Sequence, residues 1–311
     1  MEMIVQILLL AIGFVMLVKG ADWFVDGASG IAEKFHIPQL IIGLTIVAMG
    51  TSAPEAAVSI SAAIKGNAEI TIGNIVGSNI LNILIILGLS SVITSLAVAK
   101  STVKFEIPIM IAITGLLLVQ GIDGTISLLD GIVLVAAFIG YLSYLFYMAK
   151  HDPNMATDAP APQNKPLWQA LLFTVIGLGL IVWGSNVAVD AASAIARILG
   201  LSERFIGLTI VALGTSLPEL FTSVAAARKG NADIAIGNIV GSNIFNILFV
   251  VGLSALIIPV PFAAGFIIDC VVAIAAAVLL LLCCLGKKLA RWHGVVMLLG
   301  YGVYFAWLLM K

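Results

Sequence analysis

Charged residues, histidines and cysteines are all scarce in this sequence, and each shortage excludes a class of protein. Charged residues make up 10% of the 311 positions and the net charge is −1, which indicates no nucleic-acid partner. The three histidines fall in or beside predicted loops and offer no convergent metal site. The three cysteines lie in one apolar segment and indicate packing residues, not a disulfide or metal framework: Cys270, Cys283 and Cys284.

Apolar residues are abundant instead. They make up 61% of the chain and the mean hydropathy is +1.18, which predicts an integral membrane protein embedded in a lipid bilayer. The first segment lacks a basic leading region and a cleavage motif, so we expect a retained helix. Windows of about 20 residues, each long enough to cross a hydrocarbon core of about 30 Å, predict about ten spans. Their approximate ranges are 4–30, 38–64, 69–94, 104–120, 126–149, 167–197, 204–228, 233–258, 262–285 and 291–310.

One polar connection divides the predicted helices into two halves. The stretch from His151 to Pro166, HDPNMATDAPAPQNKP, is rich in proline and is predicted to be a flexible linker. The chain is therefore predicted to consist of a five-helix half at 1–150, a cytoplasmic linker at 151–166 and a second five-helix half at 167–311.

The placement of lysine and arginine predicts the orientation, because cytoplasmic loops carry an excess of positive charge. Placing the N-terminus outside assigns about ten of the 15 basic residues to the inside. We therefore expect a multi-pass protein of the cell (inner) membrane with both termini outside. We also expect it to function as a monomer.

The strongest signal is an internal repeat. Residues 43–93 align without a gap to residues 207–257, and 35 of the 51 positions are identical. The second copy begins five predicted helices after the first, an odd number, so the two copies must cross the membrane in opposite senses. The predicted fold is an all-α integral membrane protein of about ten transmembrane helices in two inverted five-helix repeats. Inverted repeats are typical of secondary transporters, whose site lies at the midplane.

Each copy contains a proline followed by a glutamate inside an apolar span, in GTSAPE (50–55) and GTSLPE (214–219). Pro54 lacks an N–H, so we expect the helix to break near Gly50 and to leave the carbonyls from Ala48 to Thr51 without intrahelical partners. Glu55 adds a buried carboxylate one turn later. Two such breaks facing each other predict an all-oxygen site with two negative charges, which suits Ca2+ and Na+.

The following helix in each copy carries a polar stripe. Its residues recur at i, i+4 and i+8, which places them on one helix face: Asn74, Ser78 and Asn82, and in the second copy Asn238, Ser242 and Asn246. Such residues also serve as hydrogen-bonding contacts between membrane helices. Their duplication beside a duplicated glutamate favours a role at the ion site.

These motifs resemble a known family. The pair GTSAPE and GTSLPE, each followed by GNIVGSN and then an asparagine, is similar to the two alpha-repeats of the sodium/calcium exchanger family, within the calcium/cation antiporter superfamily, in its prokaryotic branch. The resemblance covers residues 43–93 and 207–257. It implies an antiporter that exchanges Na+ for Ca2+, with these ions as its substrates, without a cofactor and without enzymatic activity.

The resemblance also implies roles for individual residues. Glu55 and Glu219 would be the principal Ca2+ ligands and would share in binding Na+. The remaining residues would contribute backbone carbonyls, hydroxyls for flanking Na+ sites, and side chains lining the central position: Ala48, Thr51, Ala212 and Thr215; Ser52, Ser78, Ser216 and Ser242; Asn82 and Asn246. Some prokaryotic members and the potassium-dependent branch have Asp in place of Asn246, which favours K+-independent exchange here.

Charge counting predicts a mechanism. Two carboxylates are neutralised by one Ca2+ or by two Na+, so one site can hold either load but not both, as antiport requires. The resemblance implies additional Na+ at the flanking hydroxyls, which would make the cycle electrogenic. Under an inward Na+ gradient and a negative interior, the predicted direction is Na+ inward and Ca2+ outward.

Two alternatives stay open. A calcium/proton antiporter would use the same glutamates as proton carriers. An intramembrane hydrolase could also place two glutamates at the midplane, but no histidine, Ser–Lys pair or metal triad accompanies them. The chain also contains four acidic residues whose roles the sequence leaves open between structure and ion access: Asp26, Glu106, Asp190 and Asp269.

Overall fold

The computed structural model describes residues 2–151, 166–200 and 212–310, and these residues are almost entirely helical. The predicted linker, except for its two end residues, and the predicted start of the seventh span at 204 lie outside the described residues. The helices are α1 (Glu2–Phe35), α2 (Gln39–Thr51), α3 (Ala53–Ile64), α4 (Glu69–Ile93), α5 (Thr102–Gly121), α6 (Leu128–His151), α7 (Leu167–Ile198), α8 (Ala212–Thr215), α9 (Leu217–Arg228), α10 (Ala232–Ile257), α11 (Gly265–Cys284) and α12 (Arg291–Met310).

Seven of the described helices are long and apolar enough to cross a membrane: α1, α4, α5, α6, α7, α10 and α11. The bent pair α2 and α3 is an eighth candidate if it forms one span. Helix α12 coincides with the last predicted span. The protein is therefore a helical membrane protein with seven or eight candidate spans among its described residues.

The predicted helix break is present, but two residues later than expected. Helices α2 and α3 are bent by 50° at Ser52, which separates them. Pro54 lies in the first turn of α3, where its missing N–H is harmless. The expectation that the Ala48 carbonyl lacks an intrahelical partner is wrong, because the Ser52 N–H donates to it at 3.0 Å. Ser216 separates α8 from α9 in the same way.

The helices α3 and α9 end in matching turns. Gly66 and Gly230 adopt positive φ angles of 80° and 79°. The N–H groups of Asn67 and Asn231 then donate back to carbonyls of the last helical turn, at 2.8 and 2.9 Å. This arrangement is a common helix ending that needs glycine at the left-handed position. The two copies of the repeat therefore share their local backbone here.

Helices α4 and α10 lie at the centre of the molecule. About four fifths of their most apolar windows are buried, 78% for α4 and 83% for α10, compared with 17% for α1 and 33% for α7. The polar stripes of the sequence lie on these two central helices, and all of their residues are buried except Asn74, which is half-buried.

Two short antiparallel strand pairs, which the sequence did not predict, join the halves of the chain. Strand β1 (Leu96–Ala97) pairs with β4 (Lys288–Leu289), and β2 (Thr125–Ile126) pairs with β3 (Val260–Pro261). Each pair takes one strand from each half, so backbone hydrogen bonds connect the two halves at both strand pairs.

Helices α1 and α7 pack tightly along each other through glycines. A Cβ at Gly20 would lie 2.9 Å from the Gly177 carbonyl oxygen, and a Cβ at Gly184 would lie 3.0 Å from the Gly13 carbonyl oxygen. Near the other end, a Cβ at Gly27 would meet the backbone of Thr174. Such close backbone approach is how small residues hold membrane helices together.

We predict that Gly177→Ala destabilises the protein by about 1–3 kcal/mol through overpacking. Its Cβ would meet the backbone of Phe24 on α1, which cannot move aside as a flexible side chain can. The matched control is Gly179→Ala, whose Cβ meets nothing within 4 Å, and which should change stability by less than about 1 kcal/mol. Thermal unfolding in detergent measures both, and equal effects would contradict the assigned contact.

Candidate ion-binding site

The two glutamates of the repeat lie at the beginning of α3 and α9 and are fully buried. Each accepts a hydrogen bond from the serine of the other copy. Ser52 Oγ donates to Glu219 Oε1 at 2.8 Å, and Ser216 Oγ donates to Glu55 Oε1 at 3.2 Å. The two helix breaks therefore face each other, and helix N-termini favour the negative charge.

Two carboxylate oxygens of this pair and two amide oxygens of the polar stripes are buried and have no hydrogen-bond partner among the described residues. They are Glu55 Oε2, Glu219 Oε2, Asn82 Oδ1 and Asn246 Oδ1. A buried acceptor without a partner costs about 1–3 kcal/mol, and more when it is charged. Oxygen is the ligand that Na+ and Ca2+ require, so bound cations would satisfy these atoms.

Asparagines at the start of the polar stripes hold the broken helices in place. Asn74 Nδ2 donates to Ser59 Oγ at 2.9 Å, and Asn238 Nδ2 donates to Ser223 Oγ at the same distance. Thr51 Oγ1 also donates to Asn238 Oδ1 at 2.9 Å. These two asparagines therefore make contacts between helices, the structural role that the sequence left open for the stripe.

The serines of the stripes lie beside the helix breaks. Ser78 Oγ lies 3.4 Å from Ser216 Oγ, whose hydrogen is donated to Glu55, and Ser242 Oγ donates to the Ala48 carbonyl at 3.4 Å. Each of these contacts joins the two copies of the repeat. The hydroxyl oxygens predicted for flanking Na+ sites are therefore adjacent to the glutamate motifs.

Two asparagines that the sequence analysis did not single out connect α4 to α10. Asn79 Nδ2 donates to the Asn243 carbonyl, and Asn243 Nδ2 donates to the Asn79 carbonyl, both at 3.1 Å. Their Oδ1 atoms accept from Asn246 Nδ2 at 3.1 Å and from Asn82 Nδ2 at 2.9 Å. The signal that could have found them is their identical GSN context in both copies, although they lie off the i, i+4 stripe.

This network fixes the orientation of the central amides. A backbone carbonyl can only accept, so Asn79 must direct its Nδ2 toward the Asn243 carbonyl and keep Oδ1 as an acceptor. Asn246 must then present Nδ2 to that Oδ1, which leaves its own Oδ1 unpartnered. The same reasoning applies to Asn82. Asn79 and Asn243 therefore position the two amides so that an oxygen, not an NH2 group, remains available.

A π-helical turn begins at each central asparagine, over Asn82–Leu87 in α4 and over Asn246–Val251 in α10. Such turns are rare and occur frequently at functional sites, because they change the direction of the residues that they contain. Both copies of the repeat have this irregularity at the same residue.

The structure brings most of the predicted site residues together. Hydrogen bonds form three groups between the copies: Ser52 with Glu219, Ser216 with Glu55 and Ser78, and Ser242 and Thr51 with Ala48. Asn82 and Asn246 form a separate group with Asn79 and Asn243. Thr215 lies within hydrogen-bonding reach of the Glu55 carboxylate. Ala212 begins α8 at the edge of the described residues.

Glu106 and Asp269 make no hydrogen bond to these residues in the described part of the chain. They accept hydrogen bonds from Tyr144 at 3.2 Å and from Tyr304 at 2.9 Å.

A helical membrane protein with two buried carboxylates among neutral oxygens is typical of a cation transporter. Comparison with known proteins identifies the class more closely. The profile of the family described as "Sodium/calcium exchanger protein" matches residues 5–147 and 169–310. The chain belongs to the sodium/calcium exchanger family.

Individual relatives agree with this assignment. The chain is 34% identical over 337 residues to the sodium/calcium exchanger MaX1 of Methanosarcina acetivorans, covering 96% of each chain. It is 39% identical over 264 residues to the inner membrane protein YrbG of Escherichia coli, covering 83% of this chain and 81% of YrbG. A solved structure of the sodium-calcium exchanger NCX_Mj, soaked with zero Na+ and Ca2+, matches with a TM-score of 0.86 at 34% identity, covering 98% of this chain and 99% of that one.

We predict that Asn243→Ala lowers the affinity for Ca2+ by about tenfold, which corresponds to about 1.4 kcal/mol. The substitution removes the acceptor that orients Asn82 Nδ2 and the donor to the Asn79 carbonyl. Ca2+-dependent thermal stabilisation of the purified protein measures the change. Ser143→Ala removes an exposed hydroxyl that bonds only within α6 and serves as the control. An unchanged Ca2+ titration in a folded Asn243→Ala variant would contradict the positioning role.

Proposed function

We propose that this protein is a secondary active antiporter that exchanges Na+ for Ca2+ by alternating access and works in Ca2+ extrusion. The observation that carries the proposal is the pair of fully buried carboxylates, Glu55 and Glu219, each with one oxygen that lacks a partner among the described residues. A buried carboxylate needs either a compensating positive charge or a proton. The family membership, together with the likeness to MaX1 and NCX_Mj, supports Na+ and Ca2+ as the compensating ions.

The proposed ligands follow from the same geometry. Glu55 and Glu219 provide the charge, and Asn82 and Asn246 provide the neutral oxygens of the central position. Hydroxyls and carbonyls of the helix breaks and stripes complete the flanking Na+ sites: Ala48, Thr51, Ser52, Ser78, Ala212, Thr215, Ser216 and Ser242. All donors are oxygens, as hard cations require.

We propose ten spans in two inverted halves, 1–150 and 167–311, joined by a cytoplasmic linker at 151–166. The support is that contacts between the copies are reciprocal: a residue of one copy contacts its equivalent in the other copy, and the reverse contact is also present. Asn79 bonds to Asn243 as Asn243 bonds to Asn79, and the two strand pairs relate in the same way. Two-fold arrangements produce such reciprocal contacts. Placement in the inner membrane, both termini outside and function as a monomer complete this proposal.

The charge of the site favours an electrogenic cycle. One Ca2+ or two Na+ neutralise the two glutamates, and an additional Na+ at the flanking hydroxyls would give the Na+ load an excess positive charge. Moving that charge through the membrane is worth about 2.3 kcal/mol per 100 mV. A negative interior therefore drives Na+ inward and Ca2+ outward.

We predict that Glu219→Gln reduces Na+-dependent Ca2+ uptake by about 100-fold or more, because removing one member of a buried charged group costs about 3–5 kcal/mol. The measurement is Ca2+ uptake into proteoliposomes preloaded with Na+, at clamped pH and under imposed voltages. Glu69→Gln makes the same chemical change at an exposed position and should transport normally.

This assay also separates the alternatives. A calcium/proton antiporter would transport Ca2+ under a pH gradient without Na+, and would not respond to Na+ at clamped pH. An electroneutral cycle would show no dependence of uptake on voltage. A folded Glu219→Gln variant with native uptake would contradict the assigned site.

We also propose that the exchange is independent of K+, because both central positions, Asn82 and Asn246, are neutral amides. We predict that Asn246→Asp makes transport depend on an additional cation, K+ or H+, since a third buried negative charge needs compensation. The same flux assay with and without K+ at several pH values tests this. Asn164→Asp, which makes the same chemical change in the polar stretch between the two halves, is the control. A native K+ requirement, or an unaltered cation dependence in Asn246→Asp, would contradict the proposal.

A further inference from the structure

The repeat extends weakly to α1 and α7. Outside the ion site it preserves four residue types, two on these helices and two in the turns after α3 and α9. With the alignment of the copies, Asp26 and Ser29 of α1 correspond to Asp190 and Ser193 of α7. Likewise Lys65 and Asn67, in the turn after α3, correspond to Lys229 and Asn231, in the turn after α9. Two equivalent sets of side chains are therefore available at opposite positions of the fold.

One set is joined in the structure. Lys229 Nζ lies 2.7 Å from Asp26 Oδ1 and 3.6 Å from Asp22 Oδ1, and it donates to the Asp22 carbonyl at 2.7 Å. Two residues later, Asn231 Nδ2 donates to Ser29 Oγ at 3.0 Å, and both side chains are buried. These contacts attach α1 to the end of α9. We name the four side chains Asp26, Ser29, Lys229 and Asn231 the first latch.

The equivalent set is not joined. Lys65, Asn67 and Asp190 are exposed and make no side-chain hydrogen bond or ion pair within the described part of the chain. Ser193 Oγ is buried and has no partner there. We name Asp190, Ser193, Lys65 and Asn67 the second latch.

The difference between the latches does not arise in the turns. Both turns have the same backbone, with Gly66 and Gly230 at φ angles of 80° and 79°. It arises from the position of α1 and α7, which are tied to each other by their glycine contacts. A pair packed in this way moves as one body, so a shift that releases α1 from α9 carries α7 toward α3.

We propose that the two latches are alternating gates, formed one at a time, with Lys229 to Asp26 and Asn231 to Ser29 closing one face, and Lys65 to Asp190 and Asn67 to Ser193 closing the other. This inference rests on the proposed alternating access. Latches made of a partly exposed ion pair and one buried hydrogen bond are weak enough to open in each cycle. With both termini outside, the first latch closes the inner face, and the structure has the outer latch open.

Pairs of cysteines test the proposal. In a background with Cys270, Cys283 and Cys284 replaced by alanine, Ser29→Cys with Asn231→Cys should form a disulfide on oxidation at rest, as the 3.0 Å contact between the native side chains indicates. Asn67→Cys with Ser193→Cys is the matched variant from the other copy. We expect it to cross-link during exchange, when the other state is populated. Each disulfide should abolish exchange, and reduction should restore it, which excludes misfolding as the cause.

The variant with all four cysteines gives the decisive result. We expect single molecules to carry one disulfide or the other but not both, as read by mass spectrometry of proteolytic fragments. Both disulfides in one molecule, or failure of the second pair to cross-link during active exchange, would overturn the proposal. Mass spectrometry shows whether the two disulfides exclude each other, and this measurement does not depend on ion flux. Exclusive disulfides in a protein that shows no Na+-dependent Ca2+ flux even after reduction would therefore contradict the proposed function and leave the latches in place.

Discussion

The structure depends on two negative charges that are buried in a membrane protein. Glu55 and Glu219 each receive a hydroxyl from the opposite copy and retain one unpartnered oxygen among the described residues. Two hydroxyl groups do not compensate two charges in an apolar surrounding, since each isolated ion would cost several kcal/mol. The helix breaks place each carboxylate at a helix N-terminus, where the dipole helps but does not neutralise it. Bound cations or protons must therefore compensate these charges, and the proposed function is the exchange of the cations that do so.

The neutral residues around the glutamates decide what kind of cation can compensate them. An asparagine can present either a donor or an acceptor, and a donor beside a cation would repel it. Asn79 and Asn243 remove this freedom for Asn246 and Asn82, because their own Nδ2 groups are committed to backbone carbonyls. The two carbonyl contacts also bind α4 to α10 at the point where both begin a π-helical turn. One network thus joins the halves of the chain and orients the amides of Asn82 and Asn246.

The sequence predicted the helical membrane class and the central residues because its repeat marks both. GTSAPE and GTSLPE identify the glutamates, and the identical stripes identify Ser78 and Asn82 with their counterparts. Periodicity did not find Asn79, because it lies off the stripe and its role depends on contact with the other copy. The break was expected at Gly50 and lies at Ser52. The first turn of a helix tolerates a proline such as Pro54, and the preceding helix continues its backbone hydrogen bonds as far as the Ser52 N–H. The strand pairs were missed because two-residue strands carry no periodic pattern.

Because the sequence is duplicated, it does not indicate which of the two latches is closed. The residues of the two latches are the same four types, so the sequence cannot distinguish which latch is closed, whereas Lys229 and Lys65 have different surroundings in the structure. Exchanging one latch for the other replaces one ion pair and one hydrogen bond by contacts of the same kind, and loses the additional approach of Lys229 to Asp22, whose counterpart in the second copy is Asn186. Exposed ion pairs contribute only about 0.2–1 kcal/mol, which leaves neither state strongly favoured. In the proposed cycle, the ion gradients and the voltage would therefore determine the direction, because the two latched states would be similar in energy.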